Sequence, residues 1–470
     1  MSAKVVCAVN DIGIGSLPQP LKNKRYRCGE LIVKASPFVH IISNKSKGQY
    51  CDWCALPPKN NKLLRCSVCQ FNYYCDPSCQ KRAWKFHKFE CPIIRSNNPQ
   101  IVTDSVRLLC KLLWKCSLKI EEQKPEHDPG WRTWNDLCDH SKLLQVDDRR
   151  SKSYLEASHQ LFQYYGHANL EKHGLLANVD KILTYYGRLL FNTFTLTHMG
   201  NEVGAALYLS PSVLNHSCSP NAAHVCDKTT IYVRALKDID TSEEPIFINY
   251  IDPMQPLATR QHELWENYYF HCHCYKCVDI NQEGLLEATV CPKCEGDVVK
   301  RYDDTLLCSH CDQEISDPLY IDMCERATQQ AMNLCDEKLM KSNPDVKQIQ
   351  QFVESNHLLS EKNVNLSVAK CTLYAHLSKM GNEEQAFRLG EEITELLKLY
   401  YPEVYPAHSV HQLKQARLAW NCEKYDIAIL HYRKAFEIMC LSHGPEHHLT
   451  QLVKSDIVES ENFLLYSSKK

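Results

Sequence analysis

No unbroken apolar span in the 470-residue sequence reaches the roughly 20 residues that crossing a bilayer as a helix requires, so no membrane-spanning helix is expected. The opening Met1-Ser2-Ala3-Lys4-Val5-Val6-Cys7 has too short an apolar run for a secretory signal, and an intracellular protein of cytoplasm and nucleus is expected. Charge of one sign is lacking too: 54 Lys and Arg against 56 Asp and Glu leave a net −2, which argues against a wholesale nucleic-acid binder. Cysteine, by contrast, is abundant, at 26 residues. In a reducing compartment so many thiols mean metal rather than disulfides. Hydrophobic content of 44% and charged content of 23% are ordinary for a globular chain, and the length implies several domains.

The thiols fall into ligand spacing. Between Cys51 and Cys91 the pattern is C-x2-C, C-x2-C, C-x3-C, H-x3-C. Eight ligands make two tetrahedral zinc sites, and an interleaved arrangement is expected, with Cys51, Cys54, Cys75 and Cys79 on one ion and Cys66, Cys69, His87 and Cys91 on the other. Asp76-Pro77 reads as an N-cap with proline at the first helical position, opening a helix that carries Cys79 and sets His87 and Cys91 on one face. Lys81, Arg82, Lys85 and Lys88 make the module basic, which fits a solvated helix face or a surface for an acidic partner or nucleic acid. Phe71, Tyr73, Tyr74, Trp84 and Phe86 are expected to form its small core.

A second stretch, Asn215-His216-Ser217-Cys218-Ser219-Pro220-Asn221, packs hydrogen-bonding groups and one thiol between apolar flanks. Farther on, Cys272-His273-Cys274-Tyr275-Lys276-Cys277 offers three thiolates and no local fourth. Zinc takes four, so Cys218 is the expected fourth ligand, pinning two distant segments together. The pairs Cys291/Cys294 and Cys308/Cys311, separated by a turn at Tyr302-Asp303-Asp304-Thr305, resemble a zinc ribbon. Three zinc sites are thus expected, with the ribbon as a fourth.

Around these sites the chain reads as β, then helix, then β, then helix. Glu30-Leu31-Ile32-Val33, Asn192-Thr193-Phe194-Thr195, Ile231-Tyr232-Val233 and Ile246-Phe247-Ile248-Asn249-Tyr250 are strand candidates. Asn10-Asp11-Ile12-Gly13-Ile14-Gly15 is a turn, either a plain hairpin or a ligand cradle. Between Asp104 and Phe191 the apolar spacing is helical, with Asp104 and Asn178 as caps and breaks at Pro125, Pro129 and Gly130. Strands on both sides of the finger and of this insert imply one β domain split in sequence. From Pro318 onward the chain is helical, and Ala386/Ile393 and Ala428/Ala435 recur at about forty residues, as stacked helix pairs or a plain bundle would have them.

Taken together, the Cys51–Cys91 finger, the Asn215–Asn221 motif, Glu243-Glu244 with Tyr250, the Cys272–Cys277 cluster and the helical C-terminal part resemble the SET and MYND domain (SMYD) family of protein lysine methyltransferases. The likeness covers nearly the whole chain. It implies an α+β fold: a split β-rich SET domain interrupted by a MYND zinc finger and a helical insert, with a post-SET zinc site, a zinc ribbon and an all-helical tetratricopeptide-like (TPR-like) C-terminal domain. The segments would be 1–45 and 191–260 for SET, 46–95 for MYND, 96–190 for the insert, 261–285 for post-SET, 286–317 for the ribbon and 318–470 for the helical domain. It also implies S-adenosylmethionine as cofactor, held by Asn215, His216, His140, Phe270 and the Gly13 turn. Tyr250 would be the active-site tyrosine, and Phe194 and Tyr268 would line a lysine channel. Histone tails or other proteins would be the substrates, with proline-rich or acidic partners for the finger and no membrane.

Three departures stand out. Ile12 and Ile14 flank Gly13 where the family carries basic or polar residues, Ser242 replaces the glycine before Glu243-Glu244, and the ribbon is an addition. The first of these supports the alternative of a zinc-rich interaction adaptor with a weak or inactive SET core. A ubiquitin ligase would share the cross-brace zinc logic but would leave Asn215–Cys218 unexplained.

Overall fold

The computed structural model describes residues 21–58, 62–96, 102–117, 132–172, 179–301, 305–335 and 346–467. The Asn10–Gly15 turn with Gly13, the breaks at Pro125, Pro129 and Gly130, the Asn178 cap and most of the Tyr302–Thr305 turn lie outside those residues. The described residues form two compact units. One runs up to Asn215 and includes His224–Pro245; the other takes His216–Ala223 and everything from Ile246 onward.

In the first unit, Leu31–Ala35 pairs antiparallel with Thr230–Ala235, Val33 opposite Val233. Alternate residues of the second strand, Ile231, Val233 and Ala235, are fully buried, as period-2 patterning requires. A second sheet is ordered Val39–Ile42, Asn201–Leu207, Thr193–His198. Its central strand has no clear sequence signal, because Ala and Gly there are poor strand formers. The close packing explains the glycine: a Cβ on Gly204 would stand 2.1 Å from the Ile41 carbonyl oxygen.

Helix Asp104–Ser117 buries Val106, Leu109, Cys110 and Leu113 at helical spacing. Asp104 is the first residue of that helix rather than a cap before it, and its carboxylate accepts from the Asn44 amide at 2.9 Å. The other helices of the insert are Ser141–Val146, Asp148–Tyr165, His167–Lys172 and Val179–Asn192. Asp147 caps the second of these, accepting from the Arg150 amide, and Gly166 at φ 80° ends it.

The finger also belongs to this unit. A two-strand ladder, Leu64–Arg65 with Tyr73–Tyr74, precedes helix Pro77–Ser96. Asp76 accepts from the Cys79 amide at 2.7 Å, the N-cap bond that aims Cys79 at its partners. Tyr74 is fully buried, whereas Trp84 is 47% exposed and stands outside the small core.

In the second unit, helices Leu257–Tyr268, Tyr275–Val278 and Ile280–Leu286 lead into three short strands, Thr289–Val290, Asp297–Lys300 and Leu306–Cys308, paired in that order. Among the described residues, seven helices follow: Pro318–Cys335, Val346–Ser355, Val364–Lys379, Glu383–Tyr400, Pro406–Asn421, Tyr425–Ser442 and His448–Ser467. The last five pack each on the next. Ala386 and Ile393 are buried in one helix, Ala428 and Ala435 in the helix two further on, so the apolar repeat is a repeat of helix pairs.

Candidate functional site

Ile246–Tyr250 was expected to run as one strand, yet only Phe247–Ile248 is strand. The reason is where the Tyr250 amide goes. Its N–H donates to His216 Nδ1 at 2.9 Å instead of to a ladder carbonyl. Because an amide can only donate, Nδ1 is the acceptor and the ring proton sits on Nε2, which lies 3.2 Å from Cys218 Sγ. The imidazole thus bridges the Tyr250 backbone to a cysteine sulfur. It is buried, and burial holds its pKa down at about 4.

Cys218, Cys272, Cys274 and Cys277 bring their sulfurs within 4.8 Å of one another, all four buried. Hydrogen bonds from the neighbouring thiols drive Cys274 toward the thiolate, while those from Cys272 and the others push Cys218 the opposite way. So many sulfurs cannot all ionise at one point without a cation, and a tetrahedral zinc fits this donor set. Beneath it the fully buried Arg260 donates to Cys277 Sγ at 3.8 Å and to Glu283 Oε1 at 2.8 Å. That guanidinium, paired with the Glu283 carboxylate, would orient Cys277 as a ligand, a supporting role that outer groups of metal sites commonly fill.

Three half-buried rings gather beside His216. Tyr250 and Tyr268 have centroids 4.9 Å apart, Phe270 lies 5.9 Å from His216, and Tyr250 lies 5.4 Å from His216. Tyr269, between Tyr268 and Phe270, adopts φ 60° and ends helix Leu257–Tyr268, turning the chain so that both flanking rings meet Tyr250.

Of the other residues assigned to donor or substrate, Phe194, His140 and Asn215 lie in the first unit. Phe194 stands edge-on to Tyr208 and His224, at 5.8 and 5.2 Å. His140 has φ 46° and meets the Phe191 ring at 4.7 Å. Gly187 leaves room there, since a Cβ would lie 2.1 Å from the Asp139 carbonyl oxygen. Asn215 is half-buried, and Gly13 is outside the described residues. A cavity of about 340 Å3 in the same unit, against the finger, is lined by Phe38, Trp53, Tyr74 and Lys111 among others and contains none of these residues.

The remaining thiols group as their spacing suggests. Cys51, Cys54, Cys75 and Cys79 gather at one point and Cys66, Cys69, His87 and Cys91 at another, each set within 4.8 Å. Glu90 stands 3.5 Å from His87 Nδ1, leaving Nε2 to face Cys66 and Cys69. Cys291, Cys294, Cys308 and Cys311 form a further group. Their strands are bound to the helical region: the Val290 amide donates to the Leu358 carbonyl, and Asp297 receives Ser360 and Lys362.

Sequence reasoning passed over Arg260, Glu283, Lys276 and Asn249. Lys276 is buried and donates to the Pro253 carbonyl at 3.0 Å. No spacing signal marks these residues, because each partner lies elsewhere in the chain.

Residues 51–91 match the MYND finger family. The chain is similar to histone-lysine N-methyltransferase SMYD3 of Homo sapiens, 28% identical over 90% of this chain and 91% of the relative. It is also 28% identical to histone-lysine N-methyltransferase ASHR1 of Arabidopsis thaliana, over 92% of each chain. N-lysine methyltransferase SMYD2 of Homo sapiens is 23% identical over 92% of this chain and 93% of its own length.

Proposed function

Because the chain belongs to the SET and MYND domain (SMYD) family of protein-lysine N-methyltransferases, we propose that it transfers methyl groups from S-adenosylmethionine to lysine side chains of histone or other proteins. One observation carries the reading beyond kinship: His216 joins Tyr250 to the Cys218 sulfur cluster, and Tyr268 and Phe270 close around the same tyrosine.

The half-buried rings suit the donor, whose adenine can stack on Phe270 and whose sulfonium is attracted to aromatic faces. When bound, S-adenosylmethionine supplies an electrophilic methyl group. Both His216 nitrogens are engaged within the protein, so the role assigned to this residue is exercised through its ring face and main chain. Asn215, His140 and the Gly13 turn are assigned to the rest of the donor, and Phe194 with Tyr268 to the lysine channel.

A free lysine has a pKa near 10.4, so presenting it as a neutral amine at pH 7 costs about 4–5 kcal/mol unless the site lowers that value. Rings that strip water from the ammonium do so, and the Tyr250 hydroxyl orients the amine for in-line attack. No general base is needed once the amine arrives neutral. The MYND finger, with Lys81, Lys85 and Lys88 on its helix, is assigned to recruiting acidic or proline-rich segments of partner proteins, in cytoplasm and nucleus.

Calorimetric titration of S-adenosylmethionine into the zinc-loaded protein, followed by transfer of labelled methyl to a lysine peptide library, tests the proposal. Saturable binding with transfer is expected. Absence of both would favour an adaptor built on the same scaffold.

A further inference from the structure

The segment that carries Tyr250 is gripped on both sides by one turn of the helical region. Helices Glu383–Tyr400 and Pro406–Asn421 are joined by Tyr401-Pro402-Glu403-Val404-Tyr405. The turn is itself ordered: the Tyr401 amide bonds to the Leu397 carbonyl, the Tyr405 amide to the Pro402 carbonyl, and the two tyrosine rings stack at 4.9 Å and 18°. Both hydroxyls point at the reaction segment. Tyr405 donates to Asn249 Oδ1 at 2.7 Å, and Tyr401 donates to Asp252 Oδ1 at 2.6 Å. Burial raises the pKa of both phenols, which keeps them protonated as donors.

Asn249 passes the grip on. With its Oδ1 taken by Tyr405, its Nδ2 donates across Tyr250 to the Ile251 carbonyl at 2.9 Å. Asp252 does the same on the other side, accepting from the Met254 amide at 2.9 Å. The residues before and after Tyr250 are therefore fixed from the helical region, while its own amide is fixed by His216.

We propose that Tyr401 and Tyr405 are positioning residues that set the Tyr250 side chain for methyl transfer, so that the helical region contributes to turnover without touching the donor. This rests on the methyltransferase reading. A hydrogen bond that does not form changes the population of the reactive geometry, and the effect belongs in kcat rather than in donor affinity.

Tyr405→Phe and Tyr401→Phe keep the stacked rings and delete only the hydroxyls; Tyr425→Phe, whose ring packs instead on Trp420 and Phe463, is the control. Each variant is loaded with zinc and assayed for transfer, for donor Kd, and for amide hydrogen exchange over residues 249–252. Tyr405→Phe is expected to lower kcat about tenfold with donor Kd and peptide KM unchanged, and to speed exchange in the segment. In a Tyr250→Phe background the same substitution should cost nothing further, since it acts through that side chain. Kinetics and exchange indistinguishable from Tyr425→Phe overturn the inference and leave the enzyme reading standing. A fully additive loss in the double variant overturns it as well. A parent without transfer activity overturns the enzyme reading and the catalytic role together, and exchange then still decides whether the bracket exists.

Discussion

Cys291, Cys294, Cys308 and Cys311 come from two turns close in sequence, whereas Cys218 reaches across more than fifty residues to join Cys272, Cys274 and Cys277. Both are four-thiolate groups of one unit, so the difference lies in reach and attachment. Bringing the ends of the longer loop together costs only about 1 kcal/mol more than closing the shorter one. What that reach gains is control: the Cys218 site holds His216, and through it the Tyr250 backbone. Among the described residues, the ribbon strands are hydrogen-bonded to Leu358, Ser360 and Lys362. On the proposed reading, a zinc held by Cys218 and its partners would shape the site around Tyr250, and one in the ribbon would brace a junction.

Cys218→Ala should break that contrast most severely. It is expected to lower bound zinc from four to three per chain and to abolish transfer, because the released His216 no longer fixes Tyr250. Metal content measured by plasma emission on the purified protein checks it, and an unchanged stoichiometry would remove Cys218 from the site.

Next in size is Tyr250→Phe. Loss of one oriented hydroxyl should lower kcat by roughly 10²–10³ with little change in donor affinity. Steady-state kinetics beside calorimetry separate the two; full turnover would retire the role given to this tyrosine.

The ribbon counterpart, Cys294→Ala, should also cost one zinc but leave kcat/KM within about threefold of the parent, the loss appearing as a lower unfolding midpoint. If it silences the enzyme as Cys218→Ala does, the two sites are not separate in function. A parent holding three zinc ions rather than four would mean the ribbon binds none.

The smallest effect uses the C-terminal helices as reference. Burial lowers the His411 pKa to about 4, with Lys414 and His431 pressing the same way and Glu391 opposing. Its Nε2 lies 2.9 Å from the Gly390 carbonyl and 3.0 Å from Thr394 Oγ1. Above about pH 6.5 this residue's contribution to stability is fully present. As the pH falls toward 4, the unfolded chain takes up a proton that the folded one refuses, and up to about 3 kcal/mol is lost. Denaturant midpoints across that window should therefore depend less on pH in His411→Gln, whereas equal slopes in parent and variant would refute it.

How far the sequence alone reaches can be seen residue by residue. The four sulfur-rich groups coincide with those inferred from ligand spacing, since zinc demands four donors and short C-x2-C turns leave few ways to supply them. The helix after Asp76-Pro77 and the recurrence of Ala386/Ile393 in Ala428/Ala435 were equally open to reading, because caps and periodicity are local. Strand Asn201–Leu207 was not, since its Gly204 answers to the Ile41 backbone and not to its neighbours in sequence.

By itself, then, the sequence determined what depends on donor chemistry and on spacing within a few turns: the metal groups, the helical stretches and the family likeness. Tertiary structure alone decided that the Tyr250 amide leaves its strand for His216, that Arg260 lies under Cys277, and that Tyr401 and Tyr405 hold Asp252 and Asn249. These are single hydrogen bonds between residues as much as 156 positions apart, and such pairs leave no periodicity to read. Their geometry exists only once helices and metal groups have brought both partners together.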